Sequence, residues 1–479
     1  MTMIVDEGGQ SGGQLEQKVD CSAETAEQIS QATALVQANK DNLKEALGLL
    51  AAVEKRCRVG NDVGSLCKVC EASMQLCKDC GDDEALIATI KVLSTRRSQK
   101  SKAIAAIVHK AMPWAIDVVP NNNNAKLVET LRDITDGKLF LEAERARLTR
   151  ALAKIKEDAG LIGEAADCLQ EVHVETYGSL SKREKIEFIL EQMRLTLANK
   201  DYVRASIVSN KINRTVLSEE GMKSLKIKFF KLMAEYHHIH TKDAFELAKD
   251  YHQMYLTFIS MDKKAATIAN EEKQEMTQTT VADSSNNWVE ALQTTVLFLA
   301  LSPYSMEQQD MLNRVQADPN LAKKNNETFK ATVDMLLKKE IAPYPVPNQD
   351  TLEALETFHM GQQDDNTTSA SPSVYWRTML HKRINQHNIR VVSKYYRRIR
   401  GNRLAELLGL SAAELETEIS SMVSDGSVYA KIDRPSDIIR FATTKSPEVI
   451  LTDWSSDISE LLNLVEKTTH LIHKEMTAQ

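Results

Sequence analysis

Only 17 glycines and 10 prolines are spread over the 479 residues of this chain, about half the roughly 7% and 5% of an average protein. Glycine loosens a helix and proline breaks it, so their scarcity predicts long helices with few interruptions. Aromatic residues make up 5%, too few for the pleated faces of a large sheet. The expected fold class is mainly α.

The spacing of small residues suggests how the helices are arranged. After a polar or glycine turn, an alanine recurs about five positions into the next helix, at Ala165, Ala205, Ala248 and Ala291. A period near 40 residues fits one helix pair with its turns, and alanine lets two helices approach closely. Residues 21–360 are therefore expected to form a TPR-like solenoid of helical pairs. Two stretches break the pattern. Lys263–Asn287 is polar and reads as a loop or frayed helix end, and the prolines between Ala342 and Pro347 forbid a helix. Residues 1–20 lack the apolar content to fold. Residues 361–373, rich in Gln, Asp, Asn, Thr and Ser, read as a flexible linker.

Beyond the linker the pattern changes. Tyr375–Arg400 reads as a basic helix and Arg403–Leu408 as a short one stopped at Gly409. Ser411 opens a third, with Glu414 completing a capping box. Val428, Tyr429, Ala430, Lys431 and Ile432 then face Ile438, Ile439, Arg440 and Phe441 across a turn, as a short hairpin. Three helices and a hairpin make a winged helix, expected over 374–445. In the last segment, 446–479, Leu451, Trp454, Ile458, Leu461, Val465, Thr468 and Ile472 step alternately by three and four. That is a heptad seam, and a lone helix carrying one requires a partner, in its own chain or another.

Several chemistries are disfavoured. A net charge of −7 from 60 basic and 67 acidic residues gives no whole-chain attraction to nucleic acid or anionic lipid. The first residues do not form a secretory signal. The apolar run Val296–Leu301 is far short of the roughly 20 residues of a membrane span. Seven cysteines, an odd number, fit a reducing compartment, so cytoplasm and nucleus are the expected locations. Cys67, Cys70, Cys77 and Cys80 have a zinc-like pairing. The helix-forming stretch between the pairs keeps four thiolates from converging, so they are expected to be small buried helix residues with no metal. The G-x-S-x-G of Gly9–Gly13 has no sheet behind it to form a nucleophile elbow. His237-His-Ile-His240 contains an H-x-H, yet Ala248 and Tyr251 stand where a metallopeptidase would need Ser and Asp. No catalytic, cofactor or metal residues are assigned, and the chain is not expected to be an enzyme. The third helix of the winged helix carries Glu414, Glu416 and Glu418 and no base, which opposes sequence-specific DNA reading.

A solenoid, a winged helix and a heptad helix in this order resemble the PCI-domain subunits of the proteasome lid, the COP9 signalosome and a translation initiation factor complex. Glu144–Thr149, Val174–Ser179, Glu187–Leu195, His387–Arg390, Lys394–Tyr396 and Asn463–Ile472 are similar to the proteasome-lid branch. The alternatives are its signalosome paralogue, and a nucleic-acid-associated PCI scaffold of mRNA export or initiation. The resemblance implies that the end of the solenoid forms the helical half of the PCI domain. It also implies that the hairpin strands join sheets of neighbouring winged helices, and that the Leu451–Ile472 seam joins a helical bundle. The partners it implies are other PCI lid subunits, the lid deubiquitinase module, the ATPase base and the core particle. It implies no cofactor, membrane or specific nucleic acid.

Overall fold

The computed structural model of the protein describes residues 21–38, 42–116, 122–271, 279–323, 326–347, 349–359, 372–441 and 447–478. The expected tail at 1–20, with Gly9–Gly13, and linker residues 361–371 lie outside them. The chain divides into two compact units, Met1–Tyr236 and His237–Gln479.

The first unit is helical throughout its described residues apart from turns. It begins with α1 (Ser22–Ala38), α2 (Leu43–Val59), α3 (Val63–Cys80), α4 (Asp83–Thr95) and α5 (Ser101–Ile116). It continues through α6 (Asn122–Thr135), α7 (Glu142–Asp158), α8 (Ile162–Gln170), α9 (Lys182–Ala198), α10 (Tyr202–Asn210) and α11 (Lys223–Tyr236). Short side chains start these helices. Asp62, Asp82 and Asp201 accept from the backbone N–H three residues on, and Ser181 forms a capping box with Glu184. Each satisfies amide groups that the first turn leaves without a helical partner.

The repeat is visible in ion pairs as well as in alanines. Arg147–Glu184, Arg150–Glu187 and Arg194–Glu157 join α7 to α9, and Arg204–Asp167 joins α8 to α10. In every case the partners lie 37 residues apart, as do Lys182 and Glu219. Ala165 and Ala205 are fully buried where their helices meet the neighbours. Gln192 on α9 donates to the carbonyls of Leu169 and Val172, at 2.6 and 3.2 Å, closing the end of α8. The four cysteines of the paired motif lie on the single continuous helix α3. Cys70 and Cys77 are buried, Cys67 and Cys80 half-buried, and among the described residues no group of His, Cys, Asp or Glu could hold a metal ion.

The second unit opens with a π-turn at His237–Thr241. It continues through α12 (Ala244–Glu271), α13 (Thr279–Leu301), α14 (Met306–Gln316), α15 (Glu327–Leu337), α16 (Gln349–Glu353) and α17 (Glu356–His359). The polar stretch read as a loop or frayed helix end is helical at both ends, since α12 runs to Glu271 and α13 starts at Thr279; 272–278 lie outside the described residues. This also corrects the repeat. Ala248 and Ala291 are both buried, but they sit on consecutive helices, whereas a whole helix separates Ala165 from Ala205. The long α12 takes up the residues that a turn and a further helix would need. The prolines after Ala342 hold their segment out of helix.

The chain then forms α18 (Pro372–Tyr395), β1 (Arg398–Arg400), α19 (Gly401–Leu408), α20 (Ala412–Ser424), β2 (Lys431–Asp433), β3 (Ile438–Arg440) and α21 (Pro447–Ala478). The helix expected to continue to Arg400 ends at Tyr395, and a third strand follows it. Ile399 explains the change: it is buried between exposed Arg398 and Arg400, an alternation of period two that a helix cannot supply.

Candidate assembly interface

The three strands pair antiparallel in the order β1-β3-β2. Ile399, Ile439 and Ile432 stand opposite one another and pack onto Ile389, Val392, Leu404, Leu415, Ile419 and Met422. The capping box at Ser411 and Glu414 forms as the sequence implies. Glu416 pairs with Arg434 of the wing turn, and Glu418 approaches Lys382 of α18. The acids of α20 thus serve the domain's own packing.

One lock was not read from the sequence. Asp437, with φ of 49°, accepts from Asn402 N–H at 3.1 Å, while its carbonyl accepts from Gly401 N–H at 2.9 Å. The wing turn therefore caps the first turn of α19. A Cβ at position 401 would lie 2.3 Å from Asp437 Oδ1, so a larger residue there would displace the Asp437 side chain from its cap. The signal was present, in a glycine directly after the run Arg398-Ile-Arg400.

The strand residues proposed from sequence divide into distinct roles. Ile438–Arg440 is the central strand, with β1 on one side and β2 on the other. Its backbone groups are taken, so the expectation that Ile438, Ile439 and Phe441 supply an edge is corrected. Val428, Ile439 and Phe441 are buried in the domain's own core. Val428, Tyr429 and Ala430 precede β2 rather than belonging to it. Tyr429 and Lys431 are exposed, with the Lys431 ammonium 5.9 Å from the Tyr429 ring centre. The sheet's two edges are β1 and β2.

The heptad helix differs from every other helix. Each side chain from Pro447 to Thr477 is exposed within this chain. Leu451, Trp454, Leu461, Val465 and Ile472 are each more than half exposed, and Ile458 is 43% exposed. Thr468 satisfies its hydroxyl on the Leu464 carbonyl at 2.6 Å, so it places only its methyl on the seam. Val449, Ile450, Leu462, Leu464, Leu471 and Met476 widen the apolar surface beyond the seam. Large apolar side chains this far into water, in such number on one helix, form an extended exposed apolar surface. No helix among the described residues is long and apolar enough to cross a membrane.

Helical pairs leading to a winged helix and then to a free heptad helix define a PCI-domain scaffold protein. Three family models match in chain order. They are PSMD12/CSN4 N-terminal over residues 45–262, the PCI domain over 356–443, and the 26S proteasome regulatory subunit RPN5 C-terminal domain over 448–477. The 26S proteasome non-ATPase regulatory subunit 12 of Dictyostelium discoideum is 38% identical over 444 residues, 91% of each chain. Homolog A of the same subunit in Arabidopsis thaliana is 36% identical, over 90% of this chain and 96% of the relative. The regulatory subunit RPN5 of Saccharomyces cerevisiae is 32% identical, over 91% of this chain and 92% of its own. The chain belongs to the family of 26S proteasome regulatory subunits 12 and RPN5, PCI-domain scaffold subunits of the proteasome lid.

Proposed function

We propose that this chain is needed to assemble the lid and to dock it against the ATPase base and the core particle in ubiquitin-dependent degradation, acting in cytoplasm and nucleus. The observation that carries the reading is α21, 32 residues long with its apolar seam wholly in water. Burying one Leu, Ile or Val of that seam contributes about 1.5–3 kcal/mol, so several together suffice to recruit helices of other lid subunits. The edges β1 and β2 add a second mode. Each offers unpaired backbone groups to a neighbouring winged helix, with alternate side chains deciding which neighbour fits. The first unit is the arm that reaches the base and core, and deubiquitination belongs to another subunit.

The test is native purification of the N-terminally tagged chain from its own cells, with its companions identified by mass spectrometry. Lid subunits together with ATPases and core-particle subunits are the expected result. Cullins without core particle would move the chain to a signalosome role. Ribosomal or RNA-binding companions alone would overturn the docking proposal.

A further inference from the structure

In the second unit a cleft of about 60 Å³ opens where α18 passes α14 and the end of α15, lined among others by Tyr304, Gln309, Lys338, Lys339, Arg390 and Lys394. Its walls are held firmly. Asn388 exchanges two hydrogen bonds with the backbone of Ala342, at 2.7 and 2.9 Å. His387 Nε2 lies 3.3 Å from the Glu340 carbonyl, and Tyr395 Oη donates to the Lys339 carbonyl at 3.0 Å. These contacts fix the Lys338–Ala342 segment against α18 and bring its two lysines alongside Arg390 and Lys394, which lie one turn apart on that helix.

The charges in the cleft are all of one sign. No Asp or Glu lines it. Among the described residues none of Lys338, Lys339, Arg390 and Lys394 has a carboxylate partner. The guanidinium carbon of Arg390 lies over the Tyr304 ring, 4.0 Å from its centre, a contact that holds a guanidinium without using its N–H donors. Burial pulls its pKa down to about 10, and that of His387 falls through burial and through the nearby Arg390 and Lys394. Gathering like charges without a counter-charge is unfavourable, and a bound anion would relieve it.

We infer that this cleft is a binding site for a phosphate dianion, with Arg390 and Lys394 as its anchor and Lys338 and Lys339 as its rim. Several cations around a small space suit a dianion with three acceptor oxygens better than a single carboxylate. The cleft shares no residue with β1, β2 or α21, so the inference does not depend on the assembly role. Two sources share the chemistry, a phosphorylated side chain of another polypeptide and free phosphate.

Isothermal titration of the full-length chain separates them. The probes are inorganic phosphate, a short Gly/Ser peptide with one phosphoserine, and the same peptide without phosphate. The variants are Lys338→Ala with Lys394→Ala, both exposed and safe for folding, and Arg390→Gln. Phosphate is expected to bind, and the double variant to weaken it at least about tenfold with an unchanged melting temperature in anion-free buffer. Tighter binding of the phosphopeptide than of phosphate assigns the source to a modified polypeptide; equal or weaker binding assigns the free ion. Three results would overturn the site: no heat with either phosphorylated probe, binding indifferent to both variants, or equal binding of the unphosphorylated peptide. A single-stranded RNA that displaces phosphate and binds far more tightly through the same lysines would also overturn it, in favour of nucleic acid.

Discussion

Arg194 of α9 grips Glu157 of α7 through two parallel hydrogen bonds of 2.6 Å, and also reaches Glu191 one turn back on its own helix. The Arg194 guanidinium holds the Glu157 carboxyl below the usual carboxylate range. Partners 37 residues apart recur on neighbouring helices, so this contact samples the stacking of helical pairs in the first unit.

A double-mutant cycle of Arg194→Ala and Glu157→Ala is expected to give a coupling of about 1 kcal/mol in urea unfolding. The side chains are 39% and 30% exposed, and solvent screening keeps the value this small. Because the folded pKa of Glu157 is depressed, the coupling is fully present at neutral pH. It fades as pH falls through the carboxylate range, where Glu157 takes up a proton. A coupling that persists unchanged at pH 3 would mean that packing of the arginine stem, not charge, joins the helices.

The wing turn offers a second measurement. Gly401→Ala would push Asp437 away from the first turn of α19 and remove the cap on Asn402 N–H. Loss of such a cap costs about 1–2 kcal/mol. Asp437→Ala should cost a similar amount, and the pair should cost little more than either alone, because both break one lock. Additive losses would show that the two residues act separately.

How much could be read beforehand differs from element to element. Ser411 with Glu414 announced the start of α20, and the alternation of Leu451 to Ile472 announced α21, because both signals lie within one helix. β1 escaped notice because three residues, Arg398–Arg400, directly follow a long helix. Only pairing with Ile438–Arg440 makes them a strand. For the same reason sequence pattern identified the hairpin but not which strand is central, since strand order is decided by residues about 40 positions away. For the polar segment after Lys263 composition leaves both a loop and a frayed helix end open, because it speaks of solubility more clearly than of backbone; the chain is helical to Glu271 and again from Thr279. The helical placement of the α3 cysteines was legible because no residue between the pairs breaks a helix, but their burial was legible only for Cys70 and Cys77, since Cys67 and Cys80 are half-buried. Burial drives the Cys70 thiol up to about 12, as expected of an inert core residue.

The exposed seam leads to a prediction that separates folding from assembly. Ile458→Asp with Leu461→Asp should leave the melting temperature of the isolated chain within about 1 °C, since both side chains already lie in water and exposed substitutions cost little. In the complex the same carboxylates would be buried without partners, at several kcal/mol by rough estimate. Native gels should show the lid failing to form around the variant. Deleting 447–479 should have the same effect. Normal incorporation of either variant would place the bundle contact elsewhere.

His238 provides a test of the second unit's core. Its ring lies 5.1 Å from Phe298 and 6.2 Å from Trp376, both edge to face, with Tyr251 Oη 3.4 Å from Nε2. Its Nδ1 is buried without a hydrogen-bond partner. Burial, helped by His237, lowers its pKa to about 4. The unfolded chain therefore takes up a proton near pH 6.5, while the folded chain does not until pH falls to about 4. Stability is highest above pH 6.5 and declines as the solution is acidified, by about 2 kcal/mol at pH 5 for this residue alone. His238→Phe abolishes the titration at some cost in packing. Other histidines and carboxylates contribute equally to both proteins, so the difference between their urea-unfolding free energies isolates this ring. That difference should shift toward the variant by about 2 kcal/mol between pH 7.5 and pH 5. A difference that stays constant over this range would mean that His238 is protonated in the folded chain, and that a counter-charge or water reaches it.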